Sequence, residues 1–190
     1  MPNDERQGTN GTRRQVGYFC HLTIERRHMG GVLVTNQIGV PLEFKYTEPV
    51  TTTKLHKILY GVALEKYVHE TVIRDRLSRE IHAVPDYFIA PYDEREFLGS
   101  MAGREMMALQ VFPAAQRDSS GPFIRVRDRE AVVELEEGPV LRVAFSSPDD
   151  SVQRCMALWL QEIARTMDVM EPLDRVVNAL NTLCREERKV

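Results

Sequence analysis

The sequence predicts an α+β fold: an antiparallel meander, a broken central helix, a second antiparallel meander and two C-terminal helices. Three observations lead there. Apolar and polar residues alternate from Val16 to Thr47; a helical spacing follows from Leu55 to Ile81 but changes direction near Gly61; and, after a second alternating region, two further segments at helical spacing end the chain.

Val16, Tyr18, Cys20, Leu22 and Ile24 recur with the two-residue period of a strand. "GGVLVTN" and "VPLEFKYT" give two more strands around "NQIG", where Asn36 and Gly39 supply hairpin-turn chemistry. In the third strand Leu42, Phe44 and Tyr46 oppose Glu43, Lys45 and Thr47, so the expected sheet has one dry and one wet face. After Glu48 and Pro49, Thr53 is the expected helix cap, and Gly61 the place where the helix stops or kinks.

Pro85, Pro91, Gly99 and Gly103 divide the next region into a short strand at Tyr87 to Ile89 and a short helix around Glu94 to Leu98, an expected seam near 84–103. "EMMALQVF", "FIRVR", "AVVELEE" and "PVLRVAFS" read as strands, with "AAQRDSSGP" as a loop. Ser147, Pro148, Asp149 and Asp150 open a helix carrying Val152, Cys155, Met156, Trp159, Leu160, Ile163 and Met167. Pro172 opens the last helix, and the short link favours an antiparallel pair. Residues 1–14 read as a tail and 15–190 as a single domain.

A net charge of −3 over 190 residues gives no overall attraction to nucleic acid or an anionic membrane. Cys20, Cys155 and Cys184 are widely spaced in apolar patterns, as expected of buried thiols in a reducing compartment, and no apolar run approaches the ~20 residues of a membrane span. The expected location is the cytoplasm.

Sequence-marked chemistries are absent. "VHETVIRD" starts like H-E-x-x-H, but Ile73 stands where the second histidine is required. His21 and His28 lack the clustered spacing of a zinc site, so neither a metal nor another cofactor is expected. "LGSMAG" is not a nucleophile elbow, and no phosphate-binding glycine motif occurs. Arg125, Arg127 and Arg129 share one face of a strand and could meet a phosphate backbone, although Glu134 and Glu136 on the next strand offer cross-strand partners. Tyr87, Phe88, Tyr92 and Phe97, among acidic residues, suit either a protein-contact loop or a packed seam; Trp159 carries the same ambiguity.

"PLEF", "TEP" and "ILYG" in succession resemble a segment of a group of uncharacterised bacterial proteins, which implies shared architecture over roughly residues 30 to 80 and no activity. The element order more loosely resembles longin or roadblock-type modules, which implies a dimerising platform. The expected function is therefore that of a non-catalytic protein-binding adaptor, a subunit of a larger assembly whose partner is another protein or a second copy. The alternatives are a nucleic-acid-associated component using the strand arginines, with Arg74 and Arg79, and an enzyme with unmarked residues, for which Glu43, Lys45 and Glu48 near His21 are the candidates.

Overall fold

In the computed structural model, which describes residues 14–113 and 121–186, ten strands form one sheet. Nearly all of the expected tail and most of the "AAQRDSSGP" loop lie outside the described residues. The first meander is as expected: β1 (Gln15–Ile24), β2 (Arg27–Asn36) and β3 (Pro41–Tyr46) pair antiparallel, and a short β4 (Val50–Thr51) extends β2. Asn36 shapes the β2–β3 turn by accepting hydrogen bonds on its side chain from Ile38 and Val40, while Gly39 takes the left-handed φ of 79°.

The second half contains β5 (Tyr87–Pro91), β6 (Ser100–Met101), β7 (Arg104–Val111), β8 (Phe123–Arg127), β9 (Glu130–Glu134) and β10 (Val140–Phe145). Strands β8, β9 and β10 form the expected second meander. Between the meanders, β1, β5 and β7 run parallel, so the order is β3-β2-β1-β5-β7-β10-β9-β8. The stretch near 84–103, expected as a seam, thus carries the strand that joins the two meanders at the centre of the sheet.

Helices α4 (Asp150–Ala164) and α5 (Glu171–Glu186) cover one face. Their stripes bury Met156, Leu160, Ile163, Leu173, Val176 and Leu180 against Val16, Tyr18, Cys20 and Leu33. The cap of α4 is Asp149 rather than Ser147: its carboxylate accepts from the backbone of Ser151 and Val152. Cys20 and Cys184 are buried, but Cys155 is exposed on α4, contrary to its expected burial.

The other face is not wet, as the alternation of β3 suggested, but holds a second core of Phe19, Val32, Val34, Ile73, Leu77, Phe88 and Met106. Its cover is the segment after Thr53, broken into α1 (Lys54–Tyr60), a 3₁₀ turn (Gly61–Ala63), α2 (Leu64–Tyr67), a π-helix (Val68–Arg74) and α3 (Asp75–Glu80). Thr53 caps α1 in a reciprocal pair with His56, and Gly61 ends it at φ 52°, where the next turn begins at once. No residue of α1 is buried; packing of this segment against the second core begins with half-buried Leu64 of α2 and deepens in the π-helix.

Candidate active site

The adjoining glycines of "MGGV" let both covers reach the middle of the sheet. A Cβ on Gly30 would lie 2.1 Å from Ile73 of the π-helix, and one on Gly31 would lie 3.0 Å from Leu180 of α5. Thr47 of the "TEP" joint fixes this spot: its backbone N–H donates to the Gly30 carbonyl at 2.9 Å, and its hydroxyl accepts from the Gly30 N–H at 3.0 Å. Gly30 pairs with His21 across the β1–β2 ladder. The joint and the glycine therefore bring the π-helix down beside His21.

That π-helix carries His69. Its imidazole is buried, stacked on Phe97 with ring centres 4.4 Å apart and meeting Phe19 and His21 edge-on at 5.6 and 5.0 Å. Wide helical turns of this kind recur at functional sites because they re-aim a side chain. Arg74, at the end of the same turn, donates at 2.6 Å to the Phe97 carbonyl and tethers the helix to the 3₁₀ turn Tyr92–Phe97 that follows β5. Arg74 thus acts as a structural strut.

From that turn Glu94 points inward, and its carboxylate meets His69 Nε2 in a short, buried contact. Glu94 Oε1 also lies 3.9 Å from His21 Nδ1. Since β1 and β5 are parallel, His21 and Glu94 both stand at the C-terminal ends of their strands, where open parallel sheets characteristically bind ligands. His21, His69 and Glu94 offer donor atoms all within 4.8 Å of one another. Burial pushes the His21 imidazole down to about 4, against the opposing pull of Glu94, so the ring is neutral near pH 7 and has a lone pair to offer. His69 Nδ1, also buried, has no hydrogen-bond partner among the described residues.

Two imidazoles and one carboxylate form the donor set of a three-ligand metal centre with a position left for water or substrate. The residues fit such a group, although local spacing gave no reason to expect a metal. The "VHETVIRD" stretch does supply a site histidine; its companion is His21, from a different element. The signal that could have marked both is a histidine placed among apolar residues on a strand or helix face.

A cavity of about 460 Å³ borders two members of this cluster, His21 and Glu94, and is lined further by Asp93, Leu109, Met170 and Asp174 among others. It shares Asp93, Leu109, Val111 and Met170 with a second cavity of about 610 Å³, whose wall includes Arg95, Arg127 and Arg142. Two guanidiniums flank the Tyr92 ring there, Arg95 at 5.0 Å and Arg142 at 4.9 Å.

The other expected site residues are dispersed. Phe88 is fully buried; Trp159 is buried, donates to Asp86 at 3.2 Å and packs edge-on against Tyr87. Phe97 packs on His69 and Tyr92 lines the larger cavity, so the aromatic set does not form an exposed protein anchor. Of the strand arginines only Arg127 reaches the groove. A bulge separates it from Arg125, which pairs with Asp150 at 2.8 Å rather than with the expected strand glutamates, while Arg129 lies in the β8–β9 turn. Glu43 is engaged elsewhere, accepting from the backbone N–H groups of His82 at 3.0 Å and Ala83 at 2.7 Å; Lys45 lies beside it, and Glu48 is exposed.

No family model and no curated protein matches the chain. Solved structures do. A variant of Ciona intestinalis endonuclease V in complex with a 23mer DNA containing an inosine followed by a ribo-adenosine shares 10% identity at a TM-score of 0.52, over 94% of this chain and 86% of that one. The Ciona intestinalis enzyme with a 24mer DNA gives 10% identity and a TM-score of 0.51 over 94% and 87%, and human ENDOV gives 8% and 0.50 over the same shares. The shared feature is the fold. It replaces the expected longin or roadblock likeness, and it overturns the expected non-catalytic adaptor. No helix among the described residues is long and apolar enough to cross a membrane.

Proposed function

We propose that this chain is a metal-assisted phosphodiesterase acting on nucleic acid, with His21, His69 and Glu94 as its reaction centre. The observation that carries this reading is their convergence at the C-terminal ends of parallel strands, in a fold shared with DNA-bound endonuclease V structures. A divalent ion held there would supply Lewis-acid polarisation of the phosphoryl group and a water made acidic enough to attack it.

The protein's own residues provide the rest. His69 is held rigid between Phe97 and Phe19, and Glu94 is fixed by the turn that Arg74 tethers, so the donors are preorganised. Asp93, exposed on that turn and lining both cavities, is the carboxylate placed to take a proton from the attacking water. Arg95 and Arg127 offer donors to backbone phosphates along the larger cavity, where Arg142 is paired with Glu130 at 2.7 Å.

The test is cleavage of single- and double-stranded DNA and RNA oligonucleotides, with and without inosine, across a series of divalent ions. Cleavage that disappears on chelation and in Glu94→Gln supports the reading. A correctly folded, ion-loaded protein that cuts none of these substrates would remove it.

A further inference from the structure

We propose that the centre selects a borderline transition ion of the Zn²⁺ class over Mg²⁺, and that Thr23 and His28 impose this choice by fixing the His21 tautomer. The proposal rests on the position of the reaction centre at His21, His69 and Glu94, but not on the reaction.

His21 and His28 lie diagonally across the β1–β2 ladder, with Thr23 opposite His28. The two rings stack at 5.5 Å with only 7° between their planes, and His21 Nε2 faces His28 Nδ1 at 3.3 Å. The Thr23 hydroxyl lies 3.1 Å from His28 Nδ1 and 3.4 Å from His21 Nε2. Two proton relays satisfy these groups; the one that leaves His21 able to ligate has Thr23 donating its proton to His28 Nδ1 and His21 Nε2–H pointing at the Thr23 oxygen and His28. His21 then carries its proton on Nε2 and presents a lone pair on Nδ1.

That lone pair faces Glu94 Oε1 at 3.9 Å. Two acceptors opposed in this way repel each other, and the separation is beyond the ~3.6 Å at which a contact no longer counts as a hydrogen bond. It suits a shared cation, since two ligand atoms each ~2.1 Å from one ion lie between ~3 and ~4.2 Å apart, and an ion seated there takes the place of the short His69–Glu94 hydrogen bond. Glu94 is the one carboxylate in the cluster, whereas Mg²⁺ is held by oxygen donors and imidazole suits zinc, iron and similar ions. Ligating histidines are oriented by the partner of their other ring nitrogen, and Thr23 and His28 are that partner for His21.

The measurement is equilibrium dialysis of the chelator-treated 190-residue chain with Zn²⁺, Co²⁺ and Mg²⁺, together with the visible spectrum of the Co²⁺ form. One Zn²⁺ per chain is expected, bound at least ~100-fold more tightly than Mg²⁺. His28→Leu is expected to weaken Zn²⁺ by about 10- to 100-fold and shift the Co²⁺ bands. His28→Asn, whose Oδ1 can stand in for Nδ1, is expected to restore both, which a merely structural role for the ring would not require. Circular dichroism checks folding in each variant. Equal affinity for Mg²⁺, no stoichiometric Zn²⁺, or Zn²⁺ binding unchanged in folded His21→Ala would overturn the proposal. Tight Zn²⁺ binding with these dependences but no cleavage sustains it while removing the phosphodiesterase reading; cleavage supported by Mg²⁺ in a protein that does not prefer Zn²⁺ does the reverse.

Discussion

The two helical layers of this sheet obey different rules. Helices α4 and α5 are long and regular and bury continuous stripes, and among the described residues they contribute no member of the His21–His69–Glu94 cluster. The layer from Lys54 to Glu80 is broken into five pieces, buries nothing in its first helix, and packs through half-buried Leu64, the widened turn that delivers His69, and Leu77. Regular packing secures the sheet, and irregular backbone positions chemistry on it.

Core deletions test this contrast with the largest expected effect. Leu77→Ala and Leu160→Ala each remove a fully buried side chain and are expected to cost about 2–5 kcal/mol in denaturant unfolding. Metal affinity measured below the unfolding transition is expected to fall in Leu77→Ala and to hold in Leu160→Ala; equal losses would erase the distinction between the layers. Next comes Thr47→Val, which keeps the shape of the side chain but leaves the buried Gly30 N–H unpaired. It is expected to cost about 1–3 kcal/mol and to loosen the His21 strand, read by hydrogen exchange at β1 and β2.

Glu43 gives a smaller, pH-dependent effect. Burial raises its pKa, but hydrogen bonds from Ala83 and His82 outweigh that and hold it below the ordinary carboxylate value. Its contribution is therefore complete above an unfolded pKa of ~4.3 and lost as pH falls through the lower folded value. Glu43→Gln is expected to cost about 1 kcal/mol at pH 7 and to narrow the gap from wild type as the solution is acidified. Ile58→Ser, on the exposed face of α1, is expected to change stability by less than about 0.5 kcal/mol, as thermal unfolding would show.

Single strands, helix stripes and caps were legible in the sequence in both layers, because periodicity and caps are local. Val16 to Ile24, Thr53, Gly61 and the stripes of the last two helices each declare themselves within a few residues. The "TEP" joint was readable as punctuation, but its clamp on Gly30 depends on a strand pairing seventeen residues away. The parallel union of β1, β5 and β7 and the second core of Phe19, Val32 and Phe88 also arise from long-range register, which local alternation does not encode. The same is true of the site. His21, His69 and Glu94 come from a strand, a π-helix and a 3₁₀ turn, so no spacing rule joins them.

The role of Glu94 in the reaction centre is tested most directly by comparing wild type and Glu94→Gln in single-turnover cleavage of end-labelled DNA and RNA, after confirming equal folding. Wild type, loaded with its ion, is expected to cut at least one substrate, and Glu94→Gln to lose at least ~100-fold in rate with little change in thermal stability. Cleavage by Glu94→Gln at the wild-type rate would contradict the assignment of this cluster as the reaction centre.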